Sequence, residues 1–218
     1  MKVDKSAMLL YAVTDRMWLG ENSLACQVEK AIQAGATFIQ LREKNLDFDS
    51  FLALAREIKV ITDRYRVPYV INDNIDIALA CDADGVHVGQ HDMAACDVRT
   101  RIGREKILGV SVQTAEQAVL AQKSGADYLG VGSVFATSTK PDADYVPYDT
   151  LQEICAAVSI PVVAIGGIHK DNVLSLSGSG ADGIAVVSAI FAQKDIPGAV
   201  RELRRLSSEM VNSSLRDV

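Results

Sequence analysis

The sequence predicts an α/β protein with the (β/α)8 barrel fold, also called the TIM barrel. Eight short apolar runs containing β-branched residues recur along the 218 residues, and stretches with helical spacing of apolar residues lie between most of them. A turn of small residues with Gly or Asp comes before several of the runs. Eight alternating strands and helices close most simply into a barrel, and a doubly wound open sheet is the alternative.

The predicted strands are short, as they are in most parallel barrels. They span residues 9–14, 38–41, 69–71, 85–88, 107–110, 128–131, 162–165 and 183–187. Helical spacing predicts helices over residues 24–34, 48–65, 115–124, 151–157, 173–179 and 196–211.

A weak internal repeat marks the turns between helices and strands. Its four copies are residues 35–37 (GAT), 83–85 (ADG), 125–127 (GAD) and 180–182 (GAD). Glycine in such a turn can adopt the left-handed conformation that ends a helix. The repeat therefore supports the count of strand and helix units.

Composition narrows the class of protein. The 22 Lys and Arg against 28 Asp and Glu give a net charge of -6, which argues against general binding of nucleic acid or of an anionic membrane. No apolar stretch approaches the roughly 20 residues of a membrane span. The length suits one domain over residues 1–218, with a tail after about residue 211 that is expected to fray. We expect a cytoplasmic protein with reduced cysteines.

Cationic side chains follow the second predicted strand. In a strand, alternate residues share a face, so Gln40, Arg42 and Lys44 should project to one side while Glu43 projects to the other. Active sites of these barrels lie at the carboxyl ends of the strands. Two cations and an amide there would suit a polyphosphate, and a solvated charged edge is the competing interpretation.

Oxygen ligands follow the third and fourth strands. Asn72, Asp73 and Asp92 carry the hard oxygen atoms that Mg²⁺ accepts while it takes further ligands from water and substrate phosphates. The competing interpretation is that Asp73 only caps a helix that begins at Ile75. Beside the cations, the carboxylates favour a site for Mg²⁺ and a diphosphate.

Two further segments are typical of phosphate sites. Residues 136–140 (ATSTK) form a hydroxyl-rich loop that could bind an anion or act as a lid. Gly167 follows the seventh strand, and a helix begins near Ser188 after the eighth, which is a common phosphate site of barrels. His87 lies within a strand, where packing in a hydrogen-bonded layer is its expected role.

These segments also carry a resemblance to a known family. The chain resembles the thiamine phosphate synthases in residues 11–15 (YAVTD), 40–44 (QLREK), 72–73 (ND), 83–92 (ADGVHVGQHD), 109–111 (GVS), 130–140 (GVGSVFATSTK) and 164–168 (AIGGI). The resemblance implies a (β/α)8 barrel that joins hydroxymethylpyrimidine diphosphate to a thiazole phosphate, with Mg²⁺ and release of diphosphate. Small phosphorylated molecules are then the expected partners, and the sequence does not decide between a monomer and a homo-oligomer.

The resemblance also implies a role for each matching residue. The pyrimidine diphosphate would contact Gln40, Arg42, Lys44, Asn72, Ser111 and Lys140, with Leu41 and Glu43 in the same segment. Asp73 and Asp92 would hold Mg²⁺. The thiazole phosphate would contact Thr137, Ser138, Thr139, Gly167, Val187 and Ser188. Arg42, Lys44, Lys140 and Ser111 would act in catalysis.

One position departs from the family pattern. Ser133 stands where the synthases are expected to have Pro and where the related thiazole tautomerases are expected to have a catalytic His. A tautomerase is therefore one alternative, disfavoured by Ser133. A barrel that binds thiamine phosphates without catalysis is another, and a diphosphate site would be of no use to it.

Overall fold

Eight parallel strands form a closed barrel in the computed structural model, which describes residues 3–20, 22–90, 92–137 and 144–213. The strands are β1 (Leu10–Val13), β2 (Phe38–Leu41), β3 (Tyr69–Asn72), β4 (Gly85–Val88), β5 (Ile107–Val112), β6 (Tyr128–Val131), β7 (Val162–Ile165) and β8 (Gly183–Val186). Each strand pairs with its neighbours in chain order. β8 also pairs with β1, where Tyr11 aligns with Ala185, so the barrel prediction is confirmed and the open sheet is wrong.

Helices surround the barrel. They are α1 (Leu24–Ala34), α2 (Phe48–Tyr65), α3 (Ile75–Ala80), α4 (Ala95–Ile102), α5 (Ala115–Lys123), α6 (Tyr148–Ala157), α7 (Ser188–Phe191) and α8 (Ile196–Ser213). Short 3-10 helices add Lys5–Met8, Arg16–Trp18 and Val173–Leu176. None of the described helices is long and apolar enough to cross a membrane.

Several helical segments differ from the sequence prediction, and α6 begins at Tyr148 rather than at residue 151. The stretch 173–179 is only one 3-10 turn, because Gly178 and Gly180 adopt φ values of 80° and 85° that a right-handed helix does not allow. The helix α4 is absent from the predicted set. It buries only Val98 and Ile102, which is too weak a periodic signal to detect. The helix α8 continues through Ser213, and the rest of the tail expected to fray lies outside the described residues.

Three of the four repeated turns contain a left-handed glycine, as the sequence predicts, whereas in the copy 83–85 Gly85 begins β4 and the left-handed residue is Asp82 with a φ of 54°. Gly35 ends α1 with a φ of 119°, and its amide donates to the carbonyls of Ala31 and Ile32. Gly125 adopts a φ of 93° after α5. These left-handed residues end each helix and turn the chain toward the next strand.

The inside of the barrel is filled by large side chains. Tyr11, Phe38 and Tyr128 are fully buried there and pack with ring centroids 4.5 to 5.8 Å apart. Gly109 leaves the room they need, because a Cβ at that position would collide with Tyr128 and His87. A second apolar core lies between the strands and the surrounding helices. The packed interior leaves the carboxyl ends of the strands as the place for a site.

Candidate active site

The ends of β1 and β2 are tied together at the carboxyl edge of the barrel. The amide of buried Thr14 donates to the carbonyl of Gln40 at 2.9 Å, and the hydroxyl of Thr14 accepts from the amide of Arg42 at 3.1 Å. The Arg42 guanidinium then pairs with Asp15 at 3.3 Å, with both side chains less than a fifth exposed. Arg42 is therefore a positioned cation and not part of a solvated edge.

Glu43 does not follow the expected alternation. Because β2 ends at Leu41, the alternation of a strand no longer applies to Glu43, and this residue lines the same cavity as Lys44. Its side chain is only 5% exposed and lies 3.8 Å from the Arg16 guanidinium. Burial raises the pKa of the Glu43 carboxyl. The prediction that Glu43 points away from Lys44 is wrong.

A cavity of about 440 Å³ opens beside the ends of β2 and β3. Its walls are Glu43, Lys44, Leu46, Phe51, Asn72, Asp73, Asn74, Ile75, Asp76, Met93 and Arg101. The cavity joins a predicted anion-binding residue, Lys44, to a predicted metal ligand, Asp73. Two neighbouring loops of the barrel therefore meet as the sequence predicts.

The carboxyl group of Asp73 lies next to that of Asp92, and the two groups interact. Burial and then the hydrogen bond with Asp92 raise the pKa of Asp73 to about 6. The side chain of Asn72 donates to Asp73 at 2.6 Å, and the amide of Gly89 donates to Asp92 at 2.7 Å. Two carboxylates held this closely fit a divalent cation, which would remove their repulsion.

Asp73 does not cap the following helix. Asn74 is the N-cap residue of α3, and its side chain accepts from the amide of Ile77 at 3.0 Å. The capping interpretation of Asp73 is therefore wrong. Asp73 also adopts a left-handed backbone with a φ of 60°, a conformation that costs a non-glycine residue about 1 kcal/mol or more.

A chain of hydrogen bonds runs through the inside of the barrel between Gln40 and Ser111. The amide nitrogen of Gln40 lies 2.6 Å from the Tyr11 hydroxyl, which lies 2.7 Å from the Tyr128 hydroxyl. Nδ1 of His87 lies 2.8 Å from the Tyr128 hydroxyl, and Nε2 lies 2.9 Å from the Ser111 hydroxyl. Burial lowers the pKa of His87 to about 4, so the ring is neutral at pH 7.

His87 thus has the hydrogen-bonded role that its place in a strand predicts. The sequence prediction missed the contribution of Tyr11 and Tyr128. Their place in apolar strands was the available signal, because a buried tyrosine hydroxyl normally requires a hydrogen-bond partner.

The loops after β6, β7 and β8 hold the second group of predicted residues. Thr137 is half-buried, and Gly167 packs closely against Phe135 and the carbonyl of Ala136 with a φ of 64°. Val187 precedes α7, and Ser188 is its first residue. The predicted residues Ser138, Thr139 and Lys140 lie outside the described residues.

Comparison with known proteins identifies the family. The family model described as "Thiamine monophosphate synthase" matches residues 10–190. The chain belongs to this family. It is 50% identical over 200 residues to the thiamine-phosphate synthase of Clostridium tetani, which covers 92% of this chain and 96% of that protein. It is 54% identical over 194 residues to the thiamine-phosphate synthase of Ruminiclostridium cellulolyticum, covering 89% and 92%.

A solved structure agrees with the membership in the thiamine monophosphate synthase family. The thiamine phosphate pyrophosphorylase of Pyrococcus furiosus superimposes with a TM-score of 0.87 at 40% identity, covering 95% of this chain and 98% of that one. Membership confirms the resemblance noted in the sequence. The chain is therefore an enzyme, a transferase of thiamine biosynthesis.

Proposed function

We propose that the chain joins 4-amino-2-methyl-5-hydroxymethylpyrimidine diphosphate to 4-methyl-5-(2-phosphoethyl)thiazole, forming thiamine phosphate and diphosphate. The observation that carries this proposal is the meeting of Lys44, Asn72 and Asp73 around one cavity, with Arg42 and Asp92 beside it. Cations and carboxylates together suit a diphosphate bound with a divalent cation. The names of the relatives do not favour the tautomerase or the non-catalytic interpretation.

Asp73 and Asp92 would hold Mg²⁺. The two carboxyl groups lie next to each other, which is the arrangement expected of a pair that shares one cation. Mg²⁺ would supply positive charge next to the leaving diphosphate. Asn72 donates to Asp73 and so fixes the direction of that carboxylate.

The protein side chains would stabilise charge that grows on the leaving group. The bond between the pyrimidine methylene and the diphosphate oxygen breaks, and its electron pair stays on the diphosphate. Arg42, Lys44 and Lys140 would offset this charge, and Gln40 and Ser111 would hold the pyrimidine. The lone pair of the thiazole nitrogen then forms the new C–N bond with the methylene carbon, so no nucleophilic side chain is required.

The thiazole phosphate would bind at the loops after β6, β7 and β8. Thr137, Ser138 and Thr139 would supply hydroxyl groups, while Gly167, Val187 and Ser188 would supply backbone amides. Support comes from Gly167, whose close packing against Ala136 brings the β7 loop next to the loop that carries Thr137.

Both substrates carry phosphate charges that oppose passage across a bilayer, and we place the reaction in the cytoplasm.

The test is a direct assay of the two products. Purified protein is mixed with both phosphorylated substrates and Mg²⁺, and thiamine phosphate and diphosphate are measured with and without EDTA. Equal amounts of both products, abolished by EDTA, are expected. A folded protein that forms neither product would contradict the proposed reaction, and turnover that EDTA leaves unchanged would contradict the role of Mg²⁺.

A further inference from the structure

The hydrogen-bonded chain inside the barrel connects two residues proposed to bind the pyrimidine. It begins at Gln40 on β2, passes through Tyr11, Tyr128 and His87, and ends at Ser111 on β5. The three middle side chains are at least nine-tenths buried and lie below the site. Their effect on a ligand must therefore pass through Gln40 and Ser111.

The Gln40 amide donates to Tyr11, and a count of the available protons then gives every hydrogen bond in the series a direction. A tyrosine hydroxyl has one proton to donate, so a Tyr11 hydroxyl that accepts from the Gln40 amide passes its own proton to Tyr128. Tyr128 then donates to Nδ1 of His87. Because Nδ1 accepts this hydrogen bond it carries no proton, so the N–H group of the ring is on Nε2 and donates to the hydroxyl of Ser111.

The two ends of the chain are consequently linked. With this direction, Ser111 keeps its own proton for a ligand, and the carbonyl oxygen of Gln40 is left to accept from one. Reversing the Gln40 amide would reverse every bond: the proton of His87 would move to Nδ1, and Ser111 would offer a ligand only lone pairs. A single chain of bonds thus sets the hydrogen-bonding character of both residues.

We propose that Tyr11, Tyr128 and His87 are positioning residues that hold Gln40 as an acceptor and Ser111 as a donor. A heteroaromatic ring with an exocyclic amine and an unprotonated ring nitrogen matches this pattern. The corresponding oxo ring, which has a carbonyl and a ring N–H group, does not match it. This series of hydrogen bonds therefore selects aminopyrimidines over oxopyrimidines. The inference rests on the proposed function for the identity of the ring.

The proton position on His87 tests the direction without any substrate. In protein labelled with ¹⁵N in histidine, the ring of His87 is assigned by the signals missing from a His87→Gln variant. We expect a neutral ring at pH 7 with its proton on Nε2. A proton on Nδ1, or on both nitrogens, would overturn the proposed direction of the hydrogen bonds, whether or not the protein makes thiamine phosphate.

The selectivity of variants tests the linkage between the ends. Tyr128→Phe removes the hydroxyl that joins Tyr11 to His87, so Ser111 becomes free to accept as well as donate. We expect the preference for the aminopyrimidine diphosphate over its oxo analogue, measured as the ratio of kcat/KM, to fall about tenfold, since one mismatched buried pair is relieved. Tyr69→Phe is the matched control. Its hydroxyl is equally buried but donates to the carbonyl of Ala55, outside the chain.

The outcomes separate the proposal from a general loss of stability. An unchanged ratio in Tyr128→Phe, or an equal fall in Tyr69→Phe, would overturn the positioning role. If Tyr128→Phe does not fold, Tyr11→Phe breaks the same chain one bond earlier and carries the same expectation. A wild-type protein that makes no thiamine phosphate refutes the proposed function, and the labelled His87 still decides the direction of the chain.

Discussion

Arg42 stands just past the end of β2, and the Asp15 carboxylate holds its guanidinium in place. Arg42→Ala is expected to lower turnover at least about 100-fold, because it removes a preorganised cation from the place where the proposed mechanism develops negative charge. Initial rates at saturating substrate measure this effect. Arg205→Ala is the matched control, since Arg205 is exposed and pairs only with Glu209 among the described contacts on α8. Equal rates in both variants would remove Arg42 from the mechanism.

Asp73 combines two unfavourable features, a left-handed backbone and a half-buried carboxyl group next to Asp92. Asp73→Asn keeps a residue type that tolerates positive φ and removes the carboxylate. In EDTA at pH 7.5 we expect the free energy of unfolding to rise by about 1 kcal/mol, because the repulsion with Asp92 is lost. Denaturant unfolding measures it.

Added Mg²⁺ should make the wild-type protein more stable than Asp73→Asn, which is the reverse of the order expected in EDTA. Added Mg²⁺ is expected to stabilise the wild-type protein, since a cation that binds the folded state shifts unfolding by mass action. It should leave Asp73→Asn unchanged, and turnover of the variant should be lost. Equal stabilisation of both proteins by Mg²⁺ would refute Asp73 as a ligand.

At the level of elements, strands were easier to predict than the helices that join them. Each strand is a short, mainly apolar run with turn residues close to its ends, so its position was evident from the sequence. The helix α4 exposes most of its surface and was missed, and glycines cut the segment 173–179 to one turn. Glu43 was misplaced because the strand alternation on which its prediction relied ends at Leu41.

The loop after β6 is joined at its base by backbone hydrogen bonds. The amide of Ser133 donates to the carbonyl of Asp144 at 2.9 Å, and the amide of Val146 donates to the carbonyl of Ser133 at 2.8 Å. A Pro at position 133 would have no N–H group to donate. The residue that departs from the expected family pattern therefore supplies a hydrogen bond between the two ends of this loop.

Ser133→Pro should weaken the base of the loop. We expect the amide of Val146 to exchange with solvent about fivefold faster, the effect of losing roughly 1 kcal/mol of local stability. Hydrogen exchange followed by NMR gives this rate. Ser133→Ala keeps the backbone N–H and removes only the hydroxyl bond to the Phe135 carbonyl, so its Val146 rate should stay near that of the wild type. Similar rates in all three proteins would contradict the role of the Asp144 bond.

At the scale of the whole molecule, the order of strands in the barrel follows from local sequence patterns, whereas the contacts between polar side chains inside the barrel do not. Strand count and turns predicted the closed sheet and the edge where site residues gather. The contacts of Tyr11, Tyr128 and His87 join three different strands, and no local pattern specifies such pairs. The distance between Asp73 and Asp92 likewise depends on the path of two loops. Sequence thus predicted the types of residue at the site more fully than their partners.

The buried imidazole of His87 should make the stability of the whole barrel depend on pH. Its pKa is lowered to about 4 in the folded protein, against about 6.5 in an unfolded chain, so between these values the unfolded state binds more protons. Stability from the neutral ring is therefore present above pH 6.5 and is lost as pH falls toward 4. Asp73, whose pKa is raised to about 6, acts in the opposite direction, and the His87 contribution must be measured as a difference.

We expect the wild-type free energy of unfolding to fall relative to that of His87→Gln by about 2 kcal/mol between pH 7.5 and pH 5. Subtracting the free energy of unfolding of His87→Gln from that of the wild type cancels the contribution of the carboxyl groups that both proteins share. Repeating the comparison in the Asp73→Asn background removes the opposing contribution of Asp73 directly. Denaturant unfolding of the four proteins at both pH values gives the result. Parallel pH profiles for wild type and His87→Gln would mean that the ring accepts a proton in the folded barrel as readily as in the unfolded chain. In that case the hydrogen-bonded interior would tolerate a charge that its burial argues against.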